Sequence, residues 1–376
     1  MYIDISVFVA RRYNTGIQRV VREIVMRLIY GEYETVVLAY SQRYRRFEEV
    51  AHREVLGFFG DVGGYEIVSK PIDLFAKSEK KRVFFEIDSV WNGAVARGEL
   101  YRKLQRSGYK IVSFVYDLIG VLYPQWMRKE TARNFPAYIE SVALYSDMVL
   151  FDSKSAKRDF VAHTKERKAG QKLEVVGLGC SLGRVCQKAA ARYQKILSGR
   201  YILFVGTIEP RKGHVCVLDA YERLKREFDE LELVFVGKHG WGMDAFIKRL
   251  CGHQLLGKKV HWLSYLSDDV LAHFYQNAFV VTYISRYEGF GLPVAEALAF
   301  SNIVISCNNS SLAESSQNLA LYVDEKDMVG SIVEYVRGYM NDASLYREHR
   351  EYIEAHFRPK SWQEVYLQIS YKLFGL

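Results

Sequence analysis

A chain of 376 residues exceeds what one hydrophobic core usually organises, so two domains are expected, and an apolar content of 49% is that of a folded globular protein. No apolar run reaches the roughly 18 to 20 residues that cross a bilayer, and the five cysteines, odd in number and never spaced C-x-x-C, indicate neither a disulfide framework nor a zinc site. The net charge of +8 asks for an anionic partner, but no nucleic-acid module accompanies it, so nucleic acid is not the expected one.

The N-terminal "MYIDISVFVARRYNTG" has Asp4 inside its apolar stretch and neither a basic start nor a small-residue cleavage site. This argues against a secretory signal and for a cytoplasmic protein. From here short apolar runs alternate with amphipathic ones, the pattern of parallel sheets covered by helices. The expected strands of the first half are "MYIDISVFV", "TVVLAYS", "RVFFEID", "KIVSFVYD", "DMVLFDS" and "LEVVGLG". Between them, "GIQRVVREIVMRLIYG" places Ile17, Val20, Val21, Ile24 and Leu28 on one helical face, with Gly16 at a strand-to-helix turn. No G-x-G-x-x-G is present, so a dinucleotide fingerprint is absent. "FVYDLIGVLYP" puts Tyr116 and Asp117 at a strand end. There they either meet an acceptor or the transferred sugar, or serve as a buried tyrosine and a structural turn aspartate. Residues 154–172, "KSAKRDFVAHTKERKAGQK", set seven basic residues against two acids. Such a run is a solvated helical face, or one drawn to an anionic membrane surface at about 1 kcal/mol per basic residue, and the two readings are compatible.

The polar, basic "RVCQKAAARYQKILSGR" is expected to hold a linker near 187–199, giving domains 1–190 and 191–358. The amphipathic tail, 359–376, is expected as a helix packing back on the first domain. Second-half strands are expected in "YILFVGTI", "LELVFVGKHG", "KVHWLSYLS", "AFVVTYIS" and "NIVISCNNS". Two sequential βα sets predict two doubly wound domains facing a cleft, with ligands at the carboxyl ends of the strands.

Three loops of the second half sit at such ends. "FVGTIEPRKGH" places Gly206 and Thr207 after a strand and Arg211 and Lys212 before a helix, two cations suited to a diphosphate unless the loop is only a solvated turn. "VGKHGWG" offers Lys238 and backbone groups to a base or phosphate. In "SRYEGFGLPVAEALAF", Gly289 and Gly291 form a turn into a helix that begins near residue 292 with Pro293 in its first turn. Its free N–H groups make an anion site. Glu288 before the turn and Glu296 one turn into the helix can accept hydrogen bonds from hydroxyls on either side, as a nucleotide-sugar would require; the plainer reading is acids complementing the helix dipole. No P-loop, G-x-S-x-G or H-x-x-x-H occurs, the nine histidines are dispersed, and no metal site is expected.

In the order of "VGTIEPRKG", "VGKHGWG", "YEGFGLPVAEALA" and "SSLAESSQNLALYVD", the chain resembles retaining glycosyltransferases of family four. "NTGIQRVVREI" and "YDLIGVLYP" extend a weaker likeness into the first half. The resemblance implies the GT-B fold, two Rossmann-like doubly wound domains facing a central cleft, and hexose transfer with retention from a UDP-, GDP- or dTDP-linked donor. The acceptor would be a saccharide or lipid-linked saccharide, and neither cofactor nor metal would be needed. It assigns Arg211 and Lys212 to the diphosphate, with backbone groups of Gly289, Phe290, Gly291 and Leu292. Glu288 would contact the donor sugar and Glu296 the ribose. Catalysis would rest on Glu288, Arg211 and Lys212, while Gly206, Thr207, Lys238, Gly16, Tyr116 and Asp117 would line the substrates. The general look is similar to enzymes that add mannose or rhamnose to bacterial surface polysaccharides at the inner face of the membrane. Tyr116 stands where many relatives have His, Thr207 where some have Arg, and Ser301 and Ile303 where Gly and Pro are frequent. A catalytically idle nucleotide-sugar-binding scaffold on the same fold is the alternative, and intact Glu288, Glu296, Arg211 and Lys212 argue against it.

Overall fold

The computed structural model describes residues 1–11, 16–60, 69–76, 78–182 and 191–375 and groups them into two compact units. One combines Met1–Gly179 with Ser361–Leu376; the other is Cys180–Lys360. The second unit therefore starts ahead of the boundary expected at 191. Of the expected linker, residues 187–190 lie outside the described residues. From Ala191 the chain is already wound into the short turns Ala191–Tyr193 and Gln194–Leu197. Leu197 is buried in the second unit's core, and Tyr193 and Ile196 pack against it. These apolar residues are interspersed with Arg192 and Lys195, which is why the stretch reads as polar.

In the first unit the strands are β1 (Tyr2–Asp4), β2 (Val36–Ser41), β3 (Arg46–Val50), β4 (Ser69–Pro71), β5 (Arg82–Glu86), β6 (Tyr109–Val115), β7 (Met148–Phe151) and β8 (Lys172–Val175). Among the described residues they lie in the order β4-β3-β2-β1-β5-β6-β7-β8, parallel except where β3 and β4 join antiparallel at one edge. β3 and β4 were not expected, because "RFEEV" and "SKP" carry no apolar run.

The first strand is shorter than the expected "MYIDISVFV". Asp4 ends it by accepting the Ser6 backbone N–H at 2.9 Å and the Ser6 hydroxyl, and Ser6–Arg11 is a helix. The other Asp4 oxygen lies 2.5 Å from Arg97 Nη2, while Glu86, in register beside Asp4, lies 2.6 Å from Arg97 Nε. The apolar stretch can thus bury Asp4 because a shared guanidinium compensates it. Gly16 accordingly opens the helix Gly16–Tyr30 after a helix rather than a strand. That helix buries Val20, Val21, Ile24, Val25 and Leu28, and the terminal helix Trp362–Phe374, begun by a Ser361–Glu364 capping box, packs against it.

The strands of the second unit are β9 (Arg200–Val205), β10 (Leu231–Val236), β11 (Val260–Leu263), β12 (Val280–Tyr283), β13 (Val304–Ser306) and β14 (Leu321–Tyr322). All are parallel, in the order β11-β10-β9-β12-β13-β14. Numbered within the unit this is 3-2-1-4-5-6, and the order reverses between β9 and β12, the place where a doubly wound sheet opens a ligand crevice. β10 and β12 are buried along their whole length, as both faces of the sheet are covered.

Candidate functional site

The loops after β10, β9 and β12 stand side by side at the carboxyl ends of three adjacent strands. The first two are zipped together: Ile208 N–H donates to Lys238 O at 3.0 Å and Gly240 N–H to Ile208 O at 3.0 Å. Gly237 makes this approach feasible, since a Cβ there would lie 1.9 Å from Gly206 O. Lys238 is half-buried, with its carbonyl used in the zipper, and the Thr207 methyl faces Gly240. The β9 loop is tied to the β12 loop as well, because Gly213 N–H donates to Ile284 O at 2.7 Å and Arg286 N–H to Arg211 O at 3.0 Å.

Gly291 caps the helix Leu292–Ala299 with φ +88°, a left-handed conformation that favours glycine, and a Cβ there would lie 2.7 Å from Leu312. Pro293 occupies the first turn. Gly289 and Phe290 are half-buried, Leu292 is buried, and Phe290 packs against the core.

Glu288 is the hub of the site. Its Oε1 receives the Arg211 guanidinium, lies 2.9 Å from the donating Tyr283 hydroxyl and 3.8 Å from Lys212 Nζ. Its backbone is braced from "SSLAESS": Glu288 N–H donates to Ser310 Oγ at 2.9 Å, and Ser311 Oγ donates to Glu288 O at 3.0 Å. Burial alone would push the Glu288 carboxyl up, but Arg211 and Lys212, with hydrogen bonds from Ser285 and Tyr283, outweigh it and hold the group below its ordinary range.

Arg211 also bonds Glu209 at 2.7 Å, Tyr287 O at 2.6 Å and Ser285 Oγ at 3.4 Å. Lys212 runs across Gly206, where a Cβ would lie 2.9 Å from its Nζ, and donates to the Tyr283 hydroxyl at 3.0 Å. Burial, opposed by Glu288, holds its ammonium below the usual lysine range. Desolvation and the Glu288 charge keep the Tyr283 hydroxyl protonated well beyond its usual range. Next in the chain, His214 is fully buried against Phe204, 4.2 Å between ring centres, and burial pushes its imidazole down to about 3.

The fold thus joins Arg211, Lys212, Gly206 and Glu288 directly. Glu296 is buried on the helix Leu292–Ala299 and accepts the Tyr275 hydroxyl at 3.0 Å. In the first unit the Tyr116 hydroxyl is buried and donates to Ile87 O at 2.6 Å; the half-buried Asp117 caps the next turn by accepting Ile119 N–H at 2.9 Å. Gly16 is exposed. Sequence reasoning missed Tyr283, Glu209, Ser285, Ser310 and Ser311. Tyr283 carried one signal, a phenol hydroxyl at the carboxyl end of a buried strand. Among the described residues no three His, Cys, Asp or Glu side chains gather as a metal-binding group.

Residues 187–356 match the family described as "Glycosyl transferases group 1". The chain is 28% identical over 363 residues to the "Serotype-specific mannosyltransferase WbdA" of Escherichia coli, covering 91% of this chain and 42% of that protein. "O-antigen chain mannosyltransferase B", also of Escherichia coli, is 33% identical over 144 residues, 38% of this chain and 37% of the relative. The chain therefore spans less than half the length of these curated relatives. Among solved structures, that of Anabaena Alr3699/HepE in complex with UDP-glucose covers 100% of this chain and 99% of its own, with a TM-score of 0.67 at 12% identity.

Proposed function

We propose, from the premise that this chain has the GT-B fold and a second unit of the group 1 glycosyl transferases, that it transfers a hexose from a nucleotide-sugar to a saccharide or lipid-linked saccharide in bacterial surface-polysaccharide synthesis. Mannose is the first candidate sugar, because the relatives are named as mannosyltransferases, one of the O-antigen chain. A neighbour of the same fold was solved with UDP-glucose, in keeping with a nucleotide-sugar donor. One observation carries the reading: two cations from the β9 loop and one carboxylate from the β12 loop converge where the strand order reverses.

Arg211 and Lys212 would hold the diphosphate, with backbone groups of Gly289 to Leu292 at the helix N-terminus. Glu288 would accept hydrogen bonds from the donor sugar, Glu296 from the ribose, and Lys238 would border the nucleotide. When the C1–O bond breaks, negative charge grows on the departing diphosphate, and preorganised cations lower that barrier most. The acceptor oxygen then bonds C1 on the face the diphosphate leaves, and its proton passes to a phosphate oxygen, giving retention without a metal. Of the first-unit residues, Tyr116 and Asp117 would meet the acceptor or the transferred sugar, the first with its hydroxyl held by Ile87 O and the second with one oxygen on Ile119 N–H.

No helix among the described residues is long and apolar enough to cross a membrane. Lys154, Arg158, Lys165, Arg167 and Lys172 of the basic run are exposed, whereas Lys157 bonds Leu173 O and Lys168 pairs with Asp147. The exposed set would hold the enzyme at an anionic inner membrane face.

The test is turnover across UDP-, GDP-, dTDP- and ADP-sugars by wild type, Glu288→Gln and Lys212→Ala, with and without a chelator, and the anomeric configuration of the product by NMR. One donor should be slowly cleaved by the wild type alone, chelator or not. Binding without turnover in the presence of any saccharide acceptor would favour the idle scaffold.

A further inference from the structure

Groups assigned above to two different parts of the donor hold one another in the fold. Arg211 places Nη1 among Glu288, Tyr287 O and Ser285 Oγ, and Nη2 on Glu209 at 2.7 Å. Lys212 Nζ faces the same Glu288 oxygen at 3.8 Å, and the Tyr283 hydroxyl bridges the two at 3.0 and 2.9 Å. None of the three charged side chains is more than 17% exposed. To these cations, Glu288 Oε1 is an oxyanion occupying the position that a phosphate oxygen would need. A phosphate oxygen set between Arg211 Nη1 and Lys212 Nζ would meet this carboxylate oxygen there.

We infer that donor binding is an ion-pair exchange, in which the diphosphate takes the place of Glu288 on Arg211 and Lys212, and the carboxylate so released turns to the hydroxyls of the donor sugar. The inference rests on the donor-site reading above and adds a role for Glu288 as a competitor of the leaving group. Glu209 remains on Nη2 and tethers the guanidinium, so on Arg211 the exchange touches only Nη1, while Lys212 Nζ trades Glu288 for the diphosphate. Ser310 and Ser311 hold the Glu288 backbone, so its side chain can turn without the loop moving. The exchange couples the two ends of the site. A free sugar brings no charge able to displace Glu288, and a nucleoside monophosphate brings no second phosphate to span both cations. Only a diphosphate-linked sugar both opens the ion pair and uses the carboxylate it frees, which gives selectivity for the intact donor.

The exchange predicts that binding and turnover move in opposite directions when Glu288 loses its charge. Glu288→Gln removes the carboxylate that faces both Arg211 and Lys212 and keeps Glu209 on Arg211, so an incoming diphosphate meets less neutralised charge. By calorimetry, UDP, GDP or dTDP, whichever the wild type accepts, should bind Glu288→Gln about tenfold more tightly, while cleavage of the matching nucleotide-sugar is lost. The corresponding monophosphate should gain less than the diphosphate. Glu288→Asp keeps the charge but withdraws it from Arg211; it should fall between the two and covers the case in which the glutamine variant folds poorly. Equal or weaker diphosphate binding by both variants would overturn the exchange while leaving the donor site intact. Failure of wild type and variants alike to bind any nucleoside diphosphate would overturn the donor reading and the exchange with it.

Discussion

Replacing Tyr283 by Phe removes one oxygen from the centre of the site and keeps the ring that stacks on Phe204, 5.8 Å between centroids. That oxygen donates to Glu288 at 2.9 Å and accepts from Lys212 at 3.0 Å. A hydrogen bond to a charged partner contributes about 1.5–3 kcal/mol. Glu288 keeps Arg211, so its loss is partial, whereas Lys212 loses a 3.0 Å hydrogen bond and keeps Glu288 at 3.8 Å. The two losses share partners and do not add in full, giving about 3 kcal/mol of stability. For a unit of this size that lowers Tm by roughly 6–12 °C. If the hydroxyl also positions Lys212 for the leaving group, kcat for donor cleavage should fall about tenfold to hundredfold, with donor KM changing less. The assay is a thermal melt paired with turnover, repeated in the Glu288→Gln background, where the effect of Tyr283→Phe should shrink because one of its partners is already neutral. A melt within about 1 °C of wild type together with unaltered kcat would refute the hydrogen-bond reasoning.

Three further outcomes follow from other contacts. Gly237→Ala drives a methyl to 1.9 Å from Gly206 O, a backbone atom that cannot move without parting the two zipped loops; about 3 kcal/mol of destabilisation is expected, and a Tm within 1 °C of wild type would contradict the close approach. His214 resists protonation until about pH 3, whereas the unfolded chain takes the proton near 6.5, so stability present above pH 6.5 is lost as pH falls, by about 3 kcal/mol at pH 4. Melts of wild type and His214→Phe should therefore converge between pH 6.5 and 4, and parallel curves would rule this origin out. On the first unit, Lys165→Ala with Arg167→Ala should weaken co-sedimentation with anionic liposomes by about 2 kcal/mol, roughly thirtyfold; binding by the wild type that ignores salt and lipid charge would remove the membrane proposal.

What could be read from the amino-acid order depended on whether its cause was local. "YILFV", "LELVFV" and "AFVVTY" read as strands because covered parallel strands are apolar throughout, and the glycine-bearing loops after them marked the site for the same reason. The burial of Asp4 at the end of β1 was hidden because it depends on Arg97, a partner 93 residues away, and β3 was hidden because its pairing with β2 is made by backbone rather than by an apolar pattern. Tyr116 stood at the expected strand end, but its hydroxyl belongs to Ile87, 29 residues earlier. The site repeats this division. Spacing placed Arg211 and Lys212 on one loop and Glu288 on another, and their residue types suited a phosphate and a sugar. Spacing cannot say whether opposite charges are held apart for a ligand or held against each other. Here the antiparallel backbone bridge that ties Gly213 to Ile284 and Arg286 to Arg211 brings the loops close enough for the carboxylate to face both cations. Affinity at such a site is therefore a difference between two ion pairs, and a substitution that weakens the internal one strengthens the external one.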